Sequence, residues 1–400
     1  MTTISIVTSG HFSTSPRVIK EADALAAAGF DVEVFGVRYD PFQAELDDSL
    51  APRTWRFTPV ADLTAKASQS WPRFWFRTRR KLGELVGRWL VPDPHALGFA
   101  MKRMVERTLK RAAKLTILHL EPALWVGCQL AKRGLAVGVD IEDWHSESPS
   151  WVGEAKLRRM VARYERAALA NARHRTTTSH ALAEALAASF GIAAPEVVYN
   201  STSSGGRLSP APEGDLRLFW FSQTVGFGRG LELLFDALAT IDRGWTLTLL
   251  GRCAPEVQES LLSRLPDASR GQVAFAGFVK PGELHAEASR HDVGLALETA
   301  DCLNHDLTAS NKIFQCLQAG LYVLATATAG QSEVLRRLPE NGRTFAVGDC
   351  AALAALVREA IAVRENLRKT RAQRAVAADA QFAYEHSAKV LVESVRRAIA

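Results

Sequence analysis

Two short apolar runs, VGLALE at 293–298 and LYVLAT at 321–326, bracket a polar stretch and a single helical pattern. Runs of this kind, without polar alternation, suit parallel strands covered on both faces. Parallel neighbours need a crossover, so strand–helix–strand is the reading that fits. The loop between them carries Asp301, Asn304, His305 and Asp306. Thr308 or Ser310 stands where it can cap the helix, and Gly320 where a left-handed residue ends it. Such a unit leaves helix amides open at the carboxyl end of a strand, where the dipole favours an anion. Lys312, in the first turn, opposes that dipole unless an anion lies between them. The segment therefore predicts a phosphate-bearing ligand.

The same alternation recurs on both sides. ISIV, a loop, a helix opening at Ser15-Pro16 and the strand DVEVFGV form a first unit, whose loop holds His11 and leads to Arg17. LTILHLE follows, then AVGVDIED. After a Ser/Gly/Pro-rich linker at 201–214, LRLFWFS, TLTLLG, VAFAG, VGLALE and LYVLAT alternate with helical stretches. The expected fold is α/β, with two Rossmann-like doubly wound parallel-sheet domains. Their expected bounds are 1–205 and 206–380, with a terminal helix over 381–400. Four hundred residues exceed one ordinary core. The five cysteines are scattered without metal-ligand spacing, which predicts a reducing, cytoplasmic setting. The amino terminus lacks a signal-like pattern, and no apolar run reaches the ~20 residues a membrane span needs.

Charge is unevenly spread. Thirteen Lys and Arg face three acidic residues over 66–114, a local excess larger than the net +6 of the whole chain. WPRFWFRTRRKLGELVGRWL interleaves Trp71, Phe74, Trp75, Phe76 and Trp89 with cations on an amphipathic pattern. That combination predicts contact with an anionic membrane surface. Single-stranded nucleic acid is the competing ligand, but no nucleic-acid motif accompanies the segment, so no nucleic-acid partner is expected.

Acids and histidines gather at strand ends: His119 and Glu121 after LTILHL, and Asp140, Glu142, Asp143, His145 and Glu147 in DIEDWHSE. These suit acid/base groups or sugar-hydroxyl acceptors. The DIED acids alternate around a strand and cannot all converge, so no metal is expected.

Six elements in this order, SPRVIKEADALAAAGFDVEVF, DIEDWHSE, VVYNS, SQTVGFGRGLELLFDAL, VAFAGFV and SNKIFQCLQAGLYVLAT with GQSEVL, resemble glycosyltransferase family 4 over nearly the whole chain. The resemblance implies the GT-B architecture, two Rossmann-like domains facing a cleft, with the terminal helix crossing back to the first. It implies retaining transfer from a nucleotide-diphosphate sugar to a saccharide or lipid-linked acceptor in surface polysaccharide or glycolipid synthesis. The expected place is the inner face of the cytoplasmic membrane, without cofactor or metal.

By position, the resemblance puts Arg229 of GFGRG, beside Gly228, on the donor diphosphate together with Lys312. Ser310 and Asn311 at the helix start, Gly251 after TLTLLG, and Glu333 join the donor side. Val279 and Leu284 lie where the base is held. His11, Ser15, Arg17, His119, Asp143 and His145 fall on the acceptor side, with His145, Arg229 and Lys312 as the catalytic candidates. One departure stands out. The family's Glu, seven residues, Glu pattern reads here Leu307 and Gln315, with Asp306 alongside. Gln315 can still accept from a ribose hydroxyl, without charge assistance. A same-fold nucleotide-sugar epimerase and a catalytically silent sugar-nucleotide- or membrane-binding module are the alternatives.

Overall fold

The computed structural model describes residues 1–64, 70–89, 93–148, 154–211 and 213–400. Lys66 lies outside them, as do the side chains of Trp71, Arg73, Arg88 and Trp89. The chain divides into two compact units: 1–178 with 182–198 and 388–400, and 179–181 with 199–387.

In the first unit β1 (Thr3–Val7), β2 (Asp31–Arg38), β3 (Arg56–Asp62), β4 (Leu115–His119), β5 (Val137–Ile141), β6 (His174–Thr177) and β7 (Glu196–Val197) build a parallel sheet. Its order is β3-β2-β1-β4-β5-β6-β7. The helices with it are α1 (Pro16–Ala27), α2 (Pro41–Ser49), α3 (Ser70–Trp89), α4 (Met101–Arg111), α5 (Leu120–Ala131), α6 (Ala155–Asn171) and α7 (His180–Phe190). β3 escapes a sequence reading because Pro59 interrupts it, and the structure puts it at the sheet edge, where proline is tolerated.

In the second unit β8 (Leu216–Val225), β9 (Trp245–Cys253), β10 (Val273–Gly277), β11 (Val293–Ala296), β12 (Tyr322–Thr326) and β13 (Gly342–Phe345) form a parallel sheet of order β10-β9-β8-β11-β12-β13. The helices α8 (Leu231–Leu238), α9 (Pro255–Leu262), α10 (Asp267–Arg270), α11 (Leu284–Ala288), α12 (Leu303–Leu307), α13 (Asn311–Gln318), α14 (Ala329–Arg337), α15 (Cys350–Ala362) and α16 (Arg364–Phe382) connect and cover it. α17 (Tyr384–Ile399) closes the chain. Its residues from Ala388 onward belong to the first unit, where Ser394 Oγ lies 2.8 Å from His174 Nδ1.

Both sheets reverse direction once, between β1 and β4 and between β8 and β11. In open α/β sheets such a reversal parts the loops beyond the strand ends and leaves a crevice for a ligand. Packing fixes what borders the second crevice. A side chain at Gly294 of β11 would stand 2.5 Å from the Cβ of Cys316, so only glycine lets α13 lie this close to the strand. Gly320 ends α13 at φ +76°, and Arg374 of α16 donates to its carbonyl at 2.9 Å. A cation at that end complements the dipole.

Candidate functional site

The second unit's reversal point is built by two loops. After β8 comes GFGRG. Gly228 sits at φ +70° and donates its amide to Glu232 Oε1 at 2.9 Å. Gly230 sits at φ +74°, and a Cβ there would lie 2.7 Å from that of Leu297. The glycine loop therefore lies against the end of β11. Arg229 extends an exposed guanidinium that donates to Ser222 Oγ at 2.9 Å. Gly251, at φ +143°, allows the end of β9 to reach Ser222, whose carbonyl would be 2.4 Å from an added Cβ.

After β11 comes Glu298, next to that same Leu297. Its Oε1 accepts from Lys312 Nζ at 2.7 Å, with the two side chains only 16% and 11% exposed. Here the structure corrects a premise of the sequence reading: a carboxylate of the chain itself offsets Lys312, so a ligand anion is not the sole way to place a cation there. Glu298 was not flagged from sequence because it looks like the last residue of an apolar strand.

At the start of α13, Ser310 is the N-cap residue by backbone position, but its hydroxyl makes no capping bond. The Ser310 Oγ and Gln315 Oε1 atoms are both buried without a hydrogen-bond partner. Two such orphans within one and a half turns of a helix start call for a polar guest. Asn311 is exposed beside them. The segment before α13 is not the plain loop expected, since α12 occupies part of it. Asp306 of α12 accepts from the amide of Ala329 at 3.1 Å and so secures the start of α14.

Glu333 accepts from the amides of His180 and Ala181 at 3.1 and 3.0 Å and from the Tyr199 hydroxyl at 3.0 Å. Both of its oxygens therefore hold partners within the chain. Burial and the Glu333 charge both raise the Tyr199 pKa. Val279 and Leu284 are half-buried around the turn after β10.

In the first unit, His11, Arg17 and His119 near the reversal point are bonded to groups of the chain itself. His11 is fully buried. Its Nε2 accepts from the amides of Tyr39 and Asp40, which places the proton on Nδ1, 2.8 Å from Asp47 Oδ2. Ser15 is buried at the start of α1 without a side-chain capping bond. Arg17 forks onto both oxygens of Asp140 at 2.6 Å and donates to the Val198 carbonyl. His119 touches Glu21 at 2.6 Å and Asp140 at 3.3 Å, 2% exposed. Burial disfavours its imidazolium, but the two carboxylates prevail and hold the pKa up at about 10. Burial likewise opposes ionised Asp140, yet Arg17 and His119 hold its carboxyl well below the usual range. Arg17, Asp140, His119 and Glu21 form a buried charge network that ties β4, β5 and α1. Lys20, one turn along α1 from Arg17, was missed; burial and Arg17 push its ammonium down to about 7.

Asp143 and His145 remain half-buried beyond β5. His145 Nδ1 lies 3.5 Å from Glu121 Oε2, a carboxylate able to orient the ring. Among the described residues, Asp301, Cys302 and His305 are the group whose donor atoms approach one another closely enough to hold a metal. They are joined by their own bonds, His305 Nδ1 to Asp301 at 2.6 Å and the His305 amide to Cys302 Sγ at 3.4 Å. No helix among the described residues is long and apolar enough to cross a membrane.

Residues 15–201 match the family model of a glycosyl transferase 4-like domain, and residues 217–362 that of glycosyl transferases group 1. No curated protein sequence matches the chain. The fold is similar to that of a sucrose-phosphate synthase from Thermosynechococcus elongatus, at 17% identity and a TM-score of 0.70, covering 99% of this chain and 98% of that one. It is similar to Anabaena HepE solved with UDP-glucose, at 16% identity and 0.70, covering 99% and 100%. It is similar again to TarM, at 8% and 0.68, covering 98% of each. At such identities the likeness concerns architecture. With family models on both halves and two parallel sheets of the GT-B kind, the chain belongs to glycosyltransferase family 4.

Proposed function

We propose that the protein moves a sugar from a nucleotide-diphosphate donor to a saccharide or lipid-linked acceptor, with retention at the anomeric carbon and without a metal. The observation that carries this is the start of α13: two buried, unpartnered oxygens, Ser310 Oγ and Gln315 Oε1, beside Lys312 and next to the glycine loop that carries Arg229. Helix amides, a lysine and an arginine at adjoining strand ends suit a diphosphate, and the orphan oxygens suit hydroxyl partners. HepE, with its UDP-glucose complex, supports a donor of this class.

In the transfer, the bond from the anomeric carbon to the diphosphate oxygen breaks as the acceptor oxygen bonds to that carbon on the same face. The acceptor proton passes to the departing diphosphate. Charge grows on that diphosphate, and Arg229, Lys312 and the amides at 310–312 are placed to stabilise it. The transition state resembles an oxocarbenium ion, so no strong base is needed, and His145 with Glu121 serves to orient the acceptor. Surface polysaccharide or glycolipid synthesis at the inner face of the cytoplasmic membrane is the setting this reading favours, supported by the basic, aromatic α3–α4 region.

A panel of nucleotide sugars screened for thermal stabilisation tests it, since a bound donor raises stability by mass action. The hit is then incubated with acceptor extracts and the linkage read by NMR. Stabilisation by a donor and a retained linkage are expected. Product formed without any acceptor would instead mark an epimerase, and absence of turnover, with or without stabilisation, a silent module.

A further inference from the structure

Helix α3 presents more apolar surface than its own packing uses. At about 100° per residue, Phe76 and Gly83 share one side. That side faces inward: a Cβ at Gly83 would stand 2.9 Å from the Ala96 amide nitrogen. Trp75, Thr78, Leu82 and Leu85 fall on another side, within an arc of about 80°. On it Trp75 is 57% exposed, Leu82 49% and Leu85 59%. Arg77 and Lys81, both exposed, follow along the edge of this arc.

Beside the arc, between α3 and α4, opens a cavity of about 400 Å³. Trp75, Arg79, Arg80, Lys102 and Arg103 line it together with the acidic Glu106. The guanidinium groups are held in place. Arg79 bonds Asp93 at 3.2 Å, Arg80 bonds Glu84 at 3.0 Å and covers the ring of Phe99, and Arg103 covers that of Phe76. With Arg79 matched by Asp93 and Arg80 by Glu84, Lys102 and Arg103 face Glu106 and leave the hollow with a net positive charge, which suits a phosphate.

We propose that this cavity and the outer arc of α3 form one seat for an anionic bilayer lipid, with a headgroup phosphate between α3 and α4 and the hydrocarbon edge of the leaflet against Trp75, Leu82 and Leu85. A soluble phosphate ester would leave the exposed apolar arc without purpose. A leaflet uses both features, because cations draw the helix to the surface and apolar side chains sink below the headgroups. The inference deepens the reading of a lipid-linked acceptor and rests on that reading only for its purpose.

The test is flotation of the full chain with vesicles of phosphatidylcholine alone or with phosphatidylglycerol added. Wild type should float with the anionic vesicles and remain behind with neutral ones. Lys102→Gln with Arg103→Gln should weaken anionic binding about 25-fold, at about fivefold per cation near the surface. Arg107→Gln with Lys110→Gln removes the same charge from α4 outside the cavity and should weaken it far less. Leu82→Gln with Leu85→Gln should abolish flotation while leaving glycerol phosphate binding, read by calorimetry, as in wild type. The proposal is overturned if wild type ignores anionic vesicles, if the two charge pairs weaken binding equally, or if the leucine variant floats like wild type. In each variant, thermal stabilisation by the nucleotide-sugar donor is recorded as well. Its persistence while flotation fails separates loss of this seat from failure of the glycosyltransferase reading.

Discussion

Lys312 Nζ lies 2.7 Å from Glu298 Oε1, joining the first turn of α13 to the end of β11 in a nearly buried ion pair. On the proposed function, a diphosphate bound there would compete with Glu298 for the ammonium. Glu298→Gln should therefore tighten nucleoside-diphosphate binding by about tenfold, within the range of a charge-assisted hydrogen bond. Lys312→Ala should lower transfer roughly a hundredfold to a thousandfold. Calorimetric titration of the diphosphate checks the first and steady-state turnover the second. Unchanged diphosphate affinity in Glu298→Gln would show that the pair does not answer to the ligand.

Gln315 offers a sharper contrast between the empty and the filled site. Its Oε1 is buried without a partner, so Gln315→Glu puts an uncompensated carboxylate there. The free protein should lose about 1–3 kcal/mol, and a bound ribose hydroxyl should then return more than it does in wild type. A lower melting temperature without ligand, together with a larger donor-induced rise, is the expected pair of results. A melting temperature equal to wild type would place the side chain in water.

His119 links stability to pH. Its pKa is about 10 in the folded chain against 6.5 for the free side chain. The folded pKa is the higher one, so its contribution is complete below about pH 6.5 and declines as pH rises through about 10. Denaturant titrations from pH 6 to 10 should show stability falling over this window in wild type, with a flatter profile in His119→Gln. His119→Ala leaves Glu21 and Asp140 facing one fewer cation and should cost about 3–5 kcal/mol.

Glu333 is predicted to act on stability and not on the donor. Glu333→Ala strands the amides of His180 and Ala181 and the Tyr199 hydroxyl, a loss of about 1–3 kcal/mol. Melting temperature should fall while the donor KM remains within about twofold, a change worth less than one weak hydrogen bond. A raised KM at unchanged melting temperature would return Glu333 to the sugar.

The strand–helix–strand rhythm was legible because buried parallel strands are unbroken apolar runs, as VGLALE and LYVLAT are. β3 and β13 were not, since Pro59 interrupts the polar RFTPVAD and GRTF is short and polar, both at sheet edges. Of the site, Arg229 and Lys312 could be found from glycine spacing and helix position, and both stand at the reversal point of the second sheet. Partners distant in sequence could not be found. Nothing local says that Glu298 will meet Lys312, that Glu333 will receive the amides at 180 and 181, or that Arg17 and Asp140 will close on each other 123 residues apart. Residue type announced that these groups were polar and near strand ends, while only folding decided which were already satisfied.

Residues 388–400 are counted with the amino-terminal unit, and residues 179–181 with the other. A cut in the Ser/Gly/Pro-rich linker near 205 therefore does not yield two self-sufficient halves. The amino-terminal fragment would lack Ser394, leaving His174 at the sheet without its bonded neighbour, and dissecting the protein calls for fragments that carry the last helix in trans or spliced on.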